Sequence, residues 1–247
     1  MVHPLPAAAP PCPAPDTNPC RKALRKPVED LLRDLGPALR KGDDLIALPS
    51  LGRPTGVAAV DRLLGGGFPR GRLSEITGPA SAGRTSLAFC LLRCTTRSGE
   101  FVAVVDPADA FDPASADRAG VVLDRVLWTR APSWKQALRC TERLLQTEGF
   151  PVVLLDLVDH EEAIAAAAWI RLARLAAGNQ STLVLLSRQR LAGTHAAVTL
   201  GLQAARARFV GNPALLDFLE STAFVLRHHQ APLDKPAPMR FAGPSLA

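Results

Sequence analysis

A loop bounded by two glycines carries the residues with the clearest chemistry in this chain. It reads Gly78-Pro-Ala-Ser-Ala-Gly83-Arg84-Thr85-Ser86 and fits the phosphate-binding P-loop pattern G-x-x-x-x-G-K-[ST], except that Arg84 replaces the lysine. In such a loop, backbone N–H groups and the next helix N-terminus hold the phosphates, while a Thr or Ser hydroxyl binds Mg²⁺. The spacing therefore indicates a nucleotide site in which the arginine side chain of Arg84 stands in place of the usual lysine.

The replacement of lysine by Arg84 leaves two interpretations open. Arginine keeps the charge, but its wide planar guanidinium needs more room than an ammonium and directs its donors differently. The loop could be retained only for its turn and its helix start, or it could still bind nucleotide through Arg84. We expect no certain cofactor, with ATP and Mg²⁺ bound weakly if at all.

The elements around this loop alternate between apolar strands and amphipathic helices, which predicts an α/β fold with a doubly wound, mostly parallel sheet. Two predicted strands end in acidic residues, Asp106 and Asp156. The carboxyl ends of strands form the ligand edge of such a sheet, so both carboxylates should lie near the loop. A helix is predicted from Glu161 after the fourth strand, and residues 198–208 with 222–227 should form antiparallel C-terminal strands.

The chain divides into four predicted segments. Residues 1–20 are rich in proline and alanine and predict a disordered tail. Residues 21–52 predict an N-terminal helical arm and a linker, residues 53–229 the core domain, and residues 230–247 a proline-rich tail with Phe241 as a lone apolar anchor. The predicted arm has an apolar stripe at helical spacing, which could pack on its own domain or on a neighbouring protein, and we expect it to bind a partner: Val28, Leu31, Leu32 and Leu35.

The charge, the cysteine content and the lack of long apolar runs bear on which partners, metals and membranes this chain could bind. The 29 basic residues give a formal net charge of +6, which suits an acidic partner, but they are scattered along the chain. The candidate contacts to DNA or an acidic partner are Arg188, Arg190, Arg206 and Arg208. Five cysteines without a CxxC pair predict no metal site. Without a signal peptide or a transmembrane run, we expect a cytoplasmic protein that binds no membrane.

Several segments in order resemble the RecA family. They are Thr55-Gly56 with Asp61, the run Leu-Gly-Gly-Gly-Phe-Pro-Arg-Gly-Arg-Leu that leads toward Gly78, and Asp106 to Pro113. Asp156 matches the family's Walker B aspartate, which helps to hold Mg²⁺. The resemblance implies a RecA-like core with a nucleotide site made by Gly78, Gly83, Arg84, Thr85, Ser86 and Asp156.

This chain departs from the family pattern at the positions that carry the family's catalytic and DNA-binding functions. Ala108 stands where the resemblance places a catalytic glutamate, and alanine cannot orient or deprotonate water. Asp109 is one position too far along. Arg188 replaces the nucleotide-sensing glutamine, and the two DNA loops, 157–162 and 191–196, are short. These departures favour a protein that is not an enzyme and has no catalytic residue, although slow ATP hydrolysis stays open. We also expect its binding to DNA to be weak or indirect.

A RecA-like core with these changes is similar to the ImuA proteins, and more distantly to the division inhibitor SulA. The ImuA resemblance implies an accessory protein of the SOS response and mutagenic translesion DNA synthesis. It also implies partners: RecA, the polymerase homologue ImuB and an error-prone polymerase. Two alternatives stay open, a weak nucleotide-binding ATPase or RecA paralogue of recombinational repair, and a SulA-like inhibitor of cell division.

Overall fold

The computed structural model describes residues 52–212, 215–228 and 236–242. All of them belong to one compact unit, Pro49–Ala247. The predicted tail at 1–20 and the arm with Val28, Leu31, Leu32 and Leu35 lie outside the described residues. Within the described ranges, no helix is long and apolar enough to cross a bilayer.

Six parallel strands form the centre of the sheet. They are β1 (Leu73–Thr77), β2 (Val102–Asp106), β3 (Val126–Arg130), β4 (Val152–Asp156), β5 (Thr182–Ser187) and β6 (Val198–Leu202). Their order across the sheet is β3-β2-β4-β5-β1-β6. β2 and β5 are buried along their whole length, as expected for strands covered on both faces. The predicted mostly parallel sheet is confirmed.

Antiparallel strands extend the sheet beyond β6. β8 (Leu215–His228) pairs with β6, β7 (Arg206–Val210) and β9 (Ala237–Ala242). The predicted antiparallel end is therefore present, but the first predicted run is interrupted between β6 and β7. The prediction of a tail over 230–247 is wrong for Ala237–Ala242, because this segment pairs with β8 and buries Met239 and Phe241 in the core.

Helices cover both faces of the parallel sheet. They are α1 (Ala58–Leu63), α2 (Arg84–Arg97), α3 (Pro113–Arg118), α4 (Trp134–Gln146) and α5 (Ala166–Gly178). The first three join one apolar cluster and the last two join a second cluster on the opposite face. Local sequence starts two of them: Asp112 accepts bonds from the N–H groups of Ala114 and Ser115, and Ser133 accepts one from Gln136.

One helix begins later than predicted. α5 starts at Ala166 rather than at Glu161, so residues 157–165 form a loop. Arg188 holds this loop, since its Nε donates to the carbonyl of Val158 at 3.1 Å and its Nη2 to Asp159 at 2.9 Å. A contact with a residue 29 positions away is invisible to helical periodicity.

The burial of Phe241 gives a test of the strand assignment. Replacing Phe241 with Ala removes a ring that is 8% exposed, so we expect the free energy of unfolding to fall by about 3 kcal/mol. Phe209→Ala is the matched control, because that ring is 58% exposed and its loss should change stability by less than about 0.5 kcal/mol. Urea unfolding measures both values. Equal, small effects would mean that β9 does not belong to the core.

Candidate nucleotide site

The glycine-bounded loop lies where β1 passes into α2. Gly83 has a left-handed φ of 89° and immediately precedes the first helical residue, and no side chain caps the helix N-terminus. The first N–H groups of this 14-residue helix therefore have no side-chain acceptor, which suits an anion. Thr85 and Ser86 begin the helix beside them, with the Thr85 side chain exposed.

Neither loop glycine could be replaced without a clash. A β-carbon at Gly78 would lie 2.5 Å from the carbonyl oxygen of Leu202, and one at Gly83 would lie 2.8 Å from the ring of Phe241. The hydroxyl of Ser221 also donates to the carbonyl of Ala82 at 2.8 Å. The antiparallel strands thus pack directly against the loop and fix its path.

Arg84 turns inward. Its side chain donates through Nη1 to the carbonyl of Gly78 and, at 3.1 Å, to the carbonyl of Ser187 at the end of β5. The residue is only 8% exposed, and burial lowers the pKa of Arg84, while the negative charge of Asp156 opposes that shift. The structure places the Arg84 guanidinium between the loop and the end of β5, with Nη1 bonded to two carbonyls instead of being free for a phosphate.

Asp156 lies at the carboxyl end of β4, and its Oδ1 accepts a bond from the N–H of Val158 at 2.9 Å. Burial raises the pKa of Asp156 from 3.8 to about 6, and the negative charge of Asp106 adds to the shift. The Val158 N–H and the Arg84 guanidinium act in the opposite direction. The negative charge of this buried carboxylate is thus only partly offset by its neighbours, and a cation bound beside it would be favourable.

Asp106 has a different role from Asp156. It is 1% exposed and accepts bonds from the N–H groups of Ala108 and Phe111 and from the indole of Trp128. These bonds hold the turn after β2. The turn exposes Ala108 and Asp109, and Asp109 has a left-handed φ of 55°. Its carboxylate lies 3.7 Å from Nη1 of Arg130.

Glu75 is the site residue whose role sequence reasoning missed. It is fully buried in β1, where Oε1 accepts bonds from the Ser187 hydroxyl at 3.0 Å and from the N–H groups of Leu191 and Ala192 at 2.7 and 3.4 Å. Burial raises the pKa of Glu75. The available signal was an acidic residue inside an otherwise buried strand, which needs partners to be tolerated.

The four candidate arginines fall into two groups. Arg188 and Arg190 lie on the loop after β5, where Arg188 contacts the loop after β4. Arg206 and Arg208 lie on β7, at the opposite end of the sheet order from β3. Within the described ranges, no group of three or more His, Cys, Asp or Glu side chains could hold a metal ion.

A family model described as the RecA N-terminal domain matches residues 39–173. Protein RecA of Chlorobaculum parvum is 37% identical over 148 residues, which cover 58% of this chain and 43% of that protein. Protein RecA of Symbiobacterium thermophilum is 38% identical over 124 residues, which cover 50% and 35%. The chain thus spans less than half the length of these curated relatives.

The crystal structure of the RadB recombinase is also similar. It superposes with a TM-score of 0.60 at 20% identity, covering 75% of this chain and 94% of that one. This likeness confirms the predicted RecA-like fold. The expectation that the chain is not an enzyme is wrong, because the matched proteins are RecA and a recombinase, which are enzymes.

The raised pKa of Asp156 predicts a pH dependence. Asp156 binds its proton more tightly in the folded state, so its contribution favours folding at low pH and is lost as the pH rises from 3.8 to about 6. Asp156→Asn removes the charge, and we expect it to stabilise the nucleotide-free protein by about 3 kcal/mol at pH 7 but by almost nothing near pH 4. Urea unfolding in EDTA at both pH values measures the difference. An equal effect at both would contradict the buried charge.

Proposed function

Because the chain belongs to the RecA N-terminal domain family, we propose that it is a RecA paralogue of DNA repair that binds ATP with Mg²⁺ and hydrolyses it slowly. One observation carries the proposal. The loop that fits the phosphate-binding pattern is folded with Gly83 in the left-handed region, an uncapped helix N-terminus after it, and Asp156 at the carboxyl end of β4, two strands away from β1 in the sheet. These are the groups that a triphosphate and its cation need.

Each residue then has a distinct role. The N–H groups of the loop and of the first turn of α2 bind the phosphates, because they have no side-chain acceptor. The exposed Thr85 hydroxyl and the Asp156 carboxylate hold Mg²⁺, which supplies charge neutralisation when bound. Arg84 exchanges the carbonyl of Ser187 for a phosphate oxygen. That exchange removes a buried hydrogen bond and should weaken nucleotide binding relative to a lysine-containing loop.

Slow hydrolysis follows from the turn after β2. Ala108 supplies no carboxylate, and loss of a positioned general base typically costs about 100- to 10,000-fold in rate. Asp109 carries the carboxylate that is nearest to Ala108 along the chain. Its left-handed backbone gives its side chain a different direction from that of an extended residue. Asp is among the residues that tolerate this conformation, which recurs at functional sites. We assign Asp109 the role of orienting the attacking water.

The cellular role that we propose is accessory to translesion DNA synthesis, with RecA, an ImuB-type polymerase homologue and an error-prone polymerase as partners. The loops after β4 and β5 support it, since they span only 157–165 and 188–197 between regular elements and leave little chain to surround a DNA strand. Loops too short to surround DNA favour a protein that acts through partner proteins. The nucleotide would then control binding to those partners.

Hydrolysis of ATP tests the proposed chemistry. We expect turnover on the order of 100-fold or more below the common enzyme value of about 10 per second. Asp109→Asn should abolish it because the only other carboxylate at the start of this turn, Asp106, is buried and already bonded to two backbone N–H groups and to Trp128. Ala108→Glu should raise it by about tenfold or more by restoring a base. Asp117→Asn is the matched control, an exposed acid on α3. Turnover that survives Asp109→Asn unchanged would contradict the role of Asp109.

The apolar stripe of the predicted N-terminal arm tests the partner assignment. Leu31→Ala with Leu32→Ala should weaken binding to RecA by at least about tenfold, because each buried leucine contributes roughly 1.5–3 kcal/mol. Glu29→Ala, at a polar position of the same predicted helix, should have no effect. Surface plasmon resonance with immobilised RecA measures the affinities, and thermal unfolding checks the fold. Unchanged RecA binding by a folded double variant would place the partner surface elsewhere.

A further inference from the structure

Strands β8 and β9 have one covered face and one open face, and β7 is exposed along its whole length. On the covered face, Leu219, Met239 and Phe241 join the apolar cluster beneath α1 and α2. The strand register places five residues on the other face, which we call the arginine face: Arg206, Arg208, Phe218, Glu220 and Arg240. Among the described residues, the second apolar cluster with α4 and α5 includes no residue of β7, β8 or β9. No described helix therefore covers the arginine face.

The register sets the charges of this face side by side. Glu220 lies between Arg206 on one neighbouring strand and Arg240 on the other. Its carboxylate pairs with Arg240, whose Nε donates to Oε1 at 3.1 Å. Arg206 and Arg208 are exposed and make no ion pair within the described part of the chain. Three arginines against one glutamate leave an excess of positive charge on a rigid, hydrogen-bonded surface.

An aromatic ring lies among these charges. Phe218 is half-buried, directly opposite Arg208 in the register, and the Arg240 guanidinium lies 4.8 Å from the centre of its ring. The exposed Arg240 guanidinium lies over this partly buried ring and so presents a planar group, supported by the ring, to a flat partner. An aromatic residue beside an arginine plane is the arrangement on which unpaired bases stack.

We propose that the arginine face binds single-stranded nucleic acid, with phosphates on Arg206 and Arg208 and one base stacked on Phe218 beside Arg240. A duplex fits less well, because its bases are already stacked on one another and are not free to stack on a protein side chain. An acidic peptide would use the arginines but would have no need of the ring. The inference rests on the proposed role in DNA repair but not on ATP hydrolysis.

The strands also place this face next to the nucleotide loop. The N–H of Ala205, just before β7, donates to the carbonyl of Ser81 at 3.2 Å, and Ser221 on β8 donates to Ala82. These bonds anchor both strands of the hairpin at its base. The arginine face is therefore preorganised, and bound nucleic acid would lie on strands that also contact the candidate ATP site.

Binding of a fluorescent oligothymidylate of about 20 nucleotides, followed by anisotropy without ATP, tests the proposal. Arg206→Ala and Arg208→Ala should each reduce the slope of log affinity against log salt by about one. Phe218→Leu keeps an apolar side chain for packing but removes the ring, so it should lower affinity about tenfold while leaving the slope unchanged. Arg174→Ala is the control, since Arg174 is exposed on α5.

Two further measurements test whether the arginine face recognises nucleic acid or any acidic ligand, and whether binding takes place at this face. Inorganic polyphosphate and an oligoglutamate peptide carry charge without bases, and we expect both to compete at least about tenfold more weakly than oligothymidylate. Equal competition, with no effect of Phe218→Leu, would overturn the proposal in favour of an acidic partner. A photo-crosslinking oligonucleotide with 5-iodouracil should label peptides within 206–242, and labelling confined to 157–165 or 188–197 would also overturn it.

ATP hydrolysis by the same variants keeps the two proposals separate. Loss of oligonucleotide binding in Arg206→Ala with ATP turnover unchanged supports a face that acts independently of hydrolysis. A chain that hydrolyses no ATP but still binds oligothymidylate through Phe218 would refute the proposed chemistry and leave the arginine face standing. A wild-type chain that binds no oligothymidylate at low salt would refute the arginine face alone.

Discussion

The buried guanidinium of Arg84 connects the parts of the candidate site. It bonds to the carbonyl of Gly78 at the start of the loop and to that of Ser187 at the end of β5, and the negative charge of Asp156 favours its ionised form. The hydroxyl of Ser187 bonds in turn to Glu75, which holds the backbone of the following loop. A buried cation is tolerated only with such partners, and removing one of them leaves the others unsatisfied. The phosphate loop, the ends of two strands and the loop after β5 are thus held as one network.

The second constraint on the site comes from the other end of the chain. Phe241 packs on Gly83, Leu202 approaches Gly78, and Ser221 bonds to the loop carbonyl of Ala82. The two glycines are therefore required by close packing as well as by the turn itself. The antiparallel strands form a wall of the nucleotide site and carry the arginine face on their other side. Nucleotide and nucleic acid would meet at the same set of strands.

The parallel core could be predicted from sequence because its signals are local. Apolar runs such as 152–155 mark strands buried on both faces, and acidic residues at their ends mark the ligand edge. The β9 strand could not, because a proline-rich composition predicts a tail and its pairing with β8 depends on residues about 20 positions away. The inward direction of Arg84 depends on a carbonyl 103 residues later. The expectation that the protein is not an enzyme was wrong for a different reason, because it rested on the missing family residues, whereas the matched proteins that share the fold are RecA and a recombinase.

Equilibrium binding of ATP with Mg²⁺, measured by isothermal titration calorimetry, tests the central claim most directly. We expect one site per chain in the wild type. Thr85→Ala should weaken it about tenfold through loss of the cation ligand, and Gly83→Val should abolish it because a side chain there collides with Phe241. Thr194→Ala, a substitution at an exposed threonine outside the loop, should leave binding unchanged. No heat of binding in the wild type, or equal affinity in all four proteins, would contradict the nucleotide site.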